Sequence, residues 1–207
     1  MHPQLIPLSH QVKPFLPPGT EIQVAEMIIN YQIHLKLTKP RTTKLGDYRA
    51  PFNGKGHRIT LNKSLNPFSF LITFVHEVAH LTCWNQHQHK VPPHGKEWKE
   101  HFKNLMRPFM SQHIFPENVL AALNKYMKNP AASSCADVNL LKALQYHQPE
   151  DGLRNLEELP ENMEFVLDGN KMFRKGPLER KRFRCLNLSN KRYYFVNALA
   201  RVKPLEN

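Results

Sequence analysis

His76-Glu77-Val78-Ala79-His80 follows directly on the apolar run Phe70-Leu71-Ile72-Thr73-Phe74-Val75, and no other stretch constrains the fold of this chain as much. Apolar residues at that density read as a helix buried around most of its circumference. Asn66-Pro67 supplies the start, with Asn at the cap and Pro in the first turn. The spacing predicts a helix from Pro67 to about Trp84. On it, His76 and His80 stand four residues apart on one face, so both imidazoles can reach a single ion. Two imidazoles and a carboxylate carried into a core demand partners, and a metal ion supplies them. Neutral imidazole suits Zn²⁺. Glu77 follows the first histidine, so its carboxylate can stand beside a metal-bound water and act as general base.

Three further histidines, His87, His89 and His94, compete to complete the set. His87 lies seven residues past His80, about 10 Å further along a continuing helix, too far to share the ion. A third ligand spaced as H-E-x-x-H-x-x-G-x-x-H requires Gly and His where Cys83 and Gln86 stand. His89 falls in the turn and binds only if the chain reverses abruptly. His94 comes after Pro92-Pro93 have turned the chain, at the mouth of a second helix from about Gly95 to Met106. It is the favoured third ligand, with Glu100 on that second helix as its rival. Three protein ligands leave one open position, the arrangement of a catalytic rather than a structural site. Cys83 is expected to be a small buried thiol, and Trp84 and Trp98 to pack the two helices together.

The surrounding elements mix both periodicities. Helices are expected at Thr20–Tyr31, opened by a capping box of Thr20 and Gln23, at Glu117–Met127 and at Asp137–Tyr146. Ile33, Leu35 and Leu37 alternate with polar residues as in a strand. Residues 45–62 read as a hairpin around Asn53-Gly54-Lys55-Gly56, with His57–Leu61 as the return strand. Arg58–Leu61 is expected to be an edge able to align a substrate backbone. The fold class is therefore α+β: helices packed on a small sheet, then a basic β-rich module. The division read from composition is a proline-rich arm at 1–18, a helical and stranded domain at 19–146, an acidic linker at 147–163 and the module at 164–207.

The net charge of +12 is unevenly spread, since 169–205 holds eleven Lys or Arg and one acid, Glu179, and so supplies +10 of it. Arg174, Lys175, Arg180, Lys181, Arg182, Arg184, Lys191 and Arg192 are interleaved with Phe173, Phe183, Tyr193, Tyr194 and Phe195. Cations can neutralise phosphates and aromatic rings can stack on bases, so DNA is the expected partner of this tail. Strand alternation is expected to bury Phe183 and Phe195. Three scattered cysteines exclude a disulfide framework. The first residues lack the layout of a signal peptide, and no apolar run reaches the roughly 18 residues of a membrane span. The expected compartment is the cytoplasm, its nucleoid included, with no membrane partner.

"LITFVHEVAHL" and "HGKEWKEHF", preceded by "KLGDY" and "HRITLNKSLNP", resemble the SprT-like family of zinc metallopeptidase domains over roughly residues 20–110. The resemblance implies a minimal zincin-like domain and one Zn²⁺ held by His76, His80 and His94, with Glu77 as the catalytic residue. It also implies a protein substrate that is bound or crosslinked to DNA. Members often end in a zinc ribbon with paired cysteines. Cys185 stands alone in this tail, so a cysteine-based ribbon cannot form. The competing class is a DNA-binding protein in which zinc is structural and no peptidase activity exists.

Overall fold

The computed structural model describes residues 2–39, 41, 44–131, 137–147, 152–167 and 169–205. Two compact units divide the chain, Met1–Gln148 and Pro149–Asn207. Together they form an α+β protein with a β-rich C-terminal part.

The first unit opens with a helix where an arm was expected. Helix α1 (Leu5–Val12) is followed by a 3-10 turn, Lys13–Phe15. Pro7 lies in the first turn of α1, where a missing N–H costs nothing. Leu5, Val12 and Leu16 are buried, and Phe15 stacks on Phe70 with ring centroids 5.5 Å apart. Helix α2 (Glu21–Asn30) buries Val24, Ala25 and Ile28. The expected capping box does not form: the Thr20 hydroxyl instead donates to the Pro17 carbonyl at 2.8 Å.

Strands β1 (His34–Thr38), β2 (Gly46–Arg49) and β3 (Arg58–Asn62) form one sheet in the order β1-β3-β2. The hairpin is present, and its turn residues Asn53 and Gly54 have φ of 49° and 72°. That left-handed pair is what an Asn-Gly hairpin turn requires. One expectation is corrected. Residues 58–61 lie at the centre of the sheet, because β1 pairs parallel to β3 on its other side. β1 and β2 are the edges. Asn62 pins the approach to β2, donating to the carbonyls of Arg41 and Lys44 at 3.2 and 3.1 Å.

Helix α3 (Pro67–His87) runs almost a turn beyond its expected end. The Asn66 side chain caps it, accepting from Ser69 N–H at 2.8 Å, and donates to the Leu144 carbonyl at 2.8 Å. Helix α4 (Lys96–Met106) lays Trp98, Phe102 and Met106 into the core, a spacing of four that matches one helix face. Helices α5 (Glu117–Lys128) and α6 (Val138–Gln145) bury Val119, Leu123, Leu140 and Leu144 in the same core. Ile59 and Leu61 are fully buried with α3, while His34, Lys36, Arg58 and Thr60 occupy the other face of the sheet. Cys135 lies outside the described residues.

The second unit has a separate core of Leu156, Leu159, Phe165, Phe173, Phe183, Cys185, Val196 and Val202. Its strands are β4 (Arg154–Asn155), β5 (Glu164–Leu167), β6 (Lys171–Arg174), β7 (Leu178–Glu179), β8 (Arg182–Asn187), β9 (Tyr193–Asn197) and β10 (Arg201–Pro204). The segment expected as an acidic linker at 147–163 therefore contributes structure. β4 pairs with β10, and Leu156 and Leu159 enter the core. The expectation for Phe195 is also corrected. Phe183 pairs with Val196 across β8 and β9, so Val196 points inward and Phe195 is 55% exposed. Among the described residues, no helix is long and apolar enough to cross a membrane.

Candidate metal centre

Helix α3 presents His76 and His80 one turn apart, and the chain returns through Pro92-Pro93 to bring His94 to them. His94 has φ of 61°. A non-glycine residue in the left-handed region is uncommon and costs about 1–2 kcal/mol, so surrounding structure must hold it there. Gly95 caps α4 immediately afterwards, and a Cβ on it would approach the Pro92 carbonyl oxygen to 3.0 Å. The double proline and the glycine together set the tight return.

His76 Nε2 lies 3.2 Å from His80 Nε2 and 3.3 Å from His94 Nε2. One ring nitrogen has a single in-plane site, so it cannot form good hydrogen bonds with both neighbours. An ion holding nitrogens at about 2.0–2.1 Å in tetrahedral geometry spaces those nitrogens about 3.3 Å apart. The observed spacings match that edge, and the residues present fit a metal ion. Among the described residues, this is the cluster able to hold one. Trp98, 1% exposed, forms the floor: its ring centroid is 4.7 Å from His76, 5.3 Å from His80 and 4.7 Å from His94. The expectation for Trp98 as a helix-packing residue holds, and the same ring also supports the imidazoles.

Burial, reinforced by the neighbouring imidazoles, pushes His76 down to about 3 and His80 to about 4, and burial also lowers His94. All three rings are thus neutral near pH 7, the form that binds metals. Glu77 is buried beside them. Burial chiefly, and then the charge of Asp47, pushes its carboxyl up to about 8, while the Tyr48 backbone N–H, Lys44 and Arg41 pull the other way. A bound cation would favour the carboxylate form.

Strand β2 closes over this carboxylate. A Cβ on Gly46 would stand 2.6 Å from Glu77 Oε1 and 2.8 Å from Thr73 Cγ2. Two residues on, Tyr48 stacks nearly parallel to the His80 ring, its centroid 6.4 Å away, and its hydroxyl meets His57 Nδ1 at 3.0 Å. His57 in turn stands edge-on to Trp84 at 5.6 Å. Gly46, Tyr48 and His57 were not singled out from the sequence. A glycine inside a strand signals a close approach, and Gly46 in "KLGDY" carried that signal.

The other sequence candidates separate from the centre. His87 ends α3 with its ring 6.2 Å from His101, His89 sits exposed in the turn, and Glu100 is exposed on α4. Cys83 is buried, and burial raises its thiol. In the second unit, Arg182 and Arg184 share one sheet face with Tyr193 and Phe195, and Arg184 lies 4.1 Å over the Tyr193 ring. Arg180, Lys181, Lys191 and Arg192 are exposed, whereas Arg174 pairs with Glu164 at 2.8 Å. Lys175 is a correction. It is 5% exposed, donates to the carbonyls of Glu157 and Leu159, and lies 4.0 Å over the Phe183 ring, so it is not available to phosphate.

A helix carrying H-E-x-x-H, a third histidine from the turn that leads into the next helix and a small sheet packed on the first helix form a zincin-like arrangement. Residues 23–119 match the model of the SprT-like family, so this stretch is similar to SprT-like domains. Comparison with curated proteins and with solved structures gives no match.

Proposed function

We propose that the protein is a zinc-dependent endopeptidase acting on proteins associated with or crosslinked to DNA. The observation that carries the reading is the set of three neutral imidazoles at tetrahedral spacing, with the Glu77 carboxyl on the same helix. His76, His80 and His94 would hold the ion. When bound, zinc supplies Lewis acidity, polarising a carbonyl and acidifying water. Glu77 takes the proton from the attacking water and returns it to the leaving amine. The Tyr48 N–H and the close approach of Gly46 hold that carboxyl in place.

β2 pairs with β3 on one side, and among the described residues no strand pairs with its other side. A peptide added along that edge would run past Gly46 and Tyr48, beside the metal ligands. The DNA partner is supported by the basic face of the second unit, where Arg182 and Arg184 sit beside two exposed aromatic rings.

Glu77→Gln tests the reading. The variant is expected to retain zinc and its folded circular-dichroism spectrum while kcat on a DNA-bound protein substrate falls about 10²–10⁴-fold. Equal turnover by variant and wild type would remove Glu77 from the chemistry. A zinc-loaded wild type that binds DNA yet cleaves no protein would establish the competing class, in which the ion is structural.

A further inference from the structure

Helix α3 packs on one face of the three-stranded sheet, and the other face is strongly cationic. Alternation places His34 and Lys36 of β1, Arg58 and Thr60 of β3, and Arg49 of β2 on that face. Lys55 and Gly56 extend it from the hairpin loop, and the whole encloses a shallow depression of about 650 Å³. Asp47 is the acid of this face, and it is already engaged, by Lys44 at 2.6 Å and by Arg49 at 3.1 Å. Among the described residues, no acid pairs with Lys36, Lys55 or Arg58. Arg58 Nε and Thr60 Oγ1 are shielded from solvent in this depression and have no hydrogen-bond partner among the described residues. Polar atoms withdrawn from solvent are ordinarily paired, so two unpaired ones beneath a ring of cations point to an anion.

The spacing says which kind of anion. Alternate residues on one strand lie about 6.6 Å apart and adjacent strands about 4.8 Å apart. Cations spread over three strands and a loop cannot converge on one phosphate. They suit a chain of phosphates, with Arg58 and Thr60 gripping one at the centre and Lys36 and Lys55 flanking it. We propose that this sheet face is a docking site for the phosphate backbone of nucleic acid, carried by the peptidase unit itself and separate from the basic tail. The proposal rests on the reading of the first unit as a DNA-directed peptidase and locates its DNA. β2 lends one face to this surface and its free edge to the peptide, so a protein held on the bound nucleic acid arrives at the edge that leads to Glu77.

The test is fluorescence anisotropy with labelled single-stranded and duplex DNA over a salt series, using the full-length protein. Lys36→Gln/Lys55→Gln/Arg58→Gln removes the face. Lys13→Gln/Lys125→Gln/Lys128→Gln removes equal charge from exposed helical positions of the same unit. Every phosphate that the protein ceases to neutralise lowers the log–log salt slope by roughly 0.7–0.9, so the slope of the face variant should fall by about 2–3 and its binding weaken at least about ten-fold. The control should stay within about two-fold of wild type. Thermal melting and metal content verify that both variants are folded. Parallel behaviour of the two variants, or a wild type that binds neither DNA, overturns the proposal. So does a face variant that keeps DNA affinity and loses affinity for polyglutamate, since that assigns the face to acidic proteins. Binding is read without a peptidase substrate, so its failure is distinguishable from failure of the Glu77→Gln prediction.

Discussion

Gly46 governs how closely β2 can lie on the Glu77 carboxyl. Its φ is ordinary, so space and not backbone freedom excludes a side chain: a Cβ would press on Glu77 Oε1 at 2.6 Å and on Thr73 Cγ2 at 2.8 Å. Gly46→Ala should therefore displace either the strand or the carboxylate. Overpacking of this kind costs about 1–3 kcal/mol, and a displaced base should lower kcat at least about ten-fold. Urea denaturation and steady-state kinetics on the same preparation check both, and unchanged kinetics would show that the carboxyl has room to yield. His76, Glu77 and His80 were legible because one helix fixes their relation over four residues. His94 was reachable because prolines and a glycine mark the return. Gly46 and Tyr48 depend on which strand crosses α3, a long-range relation that no local spacing encodes.

At the level of elements, Asn66 does two tasks at the start of α3. Its oxygen caps the helix and its amide nitrogen holds the carbonyl of Leu144, 78 residues away in sequence. Loss of a cap costs about 1 kcal/mol, and loss of the hydrogen bond to the Leu144 carbonyl, which also accepts from the His147 N–H at 3.2 Å, about 0.5–1.5 kcal/mol more. Asn66→Ala should thus destabilise the first unit by about 1.5–2.5 kcal/mol, whereas Asn66→Asp keeps the cap and should cost visibly less. Equal losses in chemical denaturation would argue that the cap contributes nothing, and an Asn66→Asp variant as stable as wild type would argue the same of the tether to Leu144. The cap was read directly from Asn66-Pro67. The tether was not, since it joins distant parts of the chain. α1 was missed because its prolines suggested an extended arm, although Pro7 occupies a turn that tolerates it. The order β1-β3-β2 was missed for a different reason: period-2 alternation identifies strands but not their neighbours.

For the whole molecule, the two units have separate cores, and the candidate metal ligands all lie in the first. Metal binds the folded ligand set, so chelation should lower the melting temperature of the first unit. No metal cluster occurs among the described residues of the second unit, so its transition should stay in place. Differential scanning calorimetry with and without a chelator measures this, and a joint downward shift of both transitions would contradict it. The charge balance shows how far a chain-wide count can mislead. Outside residues 169–205 the net charge is only +2, being +12 less +10. Folding nevertheless gathers Lys36, Arg49, Lys55 and Arg58 on one sheet face, and Glu100 and Glu117 sit on helices instead. A near-neutral sum hid a polarised surface.

Lys175 gives the second unit a cation that is built into its own chain. Its ammonium is gripped by two backbone carbonyls and an aromatic ring, as a small ion is gripped in a cage, but it is attached to the chain that surrounds it. No supply, delivery or exchange is involved, and the cage is filled as soon as the polypeptide is made. An ion held by the histidine centre would have to come from outside after synthesis. The two units would then be completed on different schedules, and scarcity of metal would deprive the first of its ion while leaving the second intact.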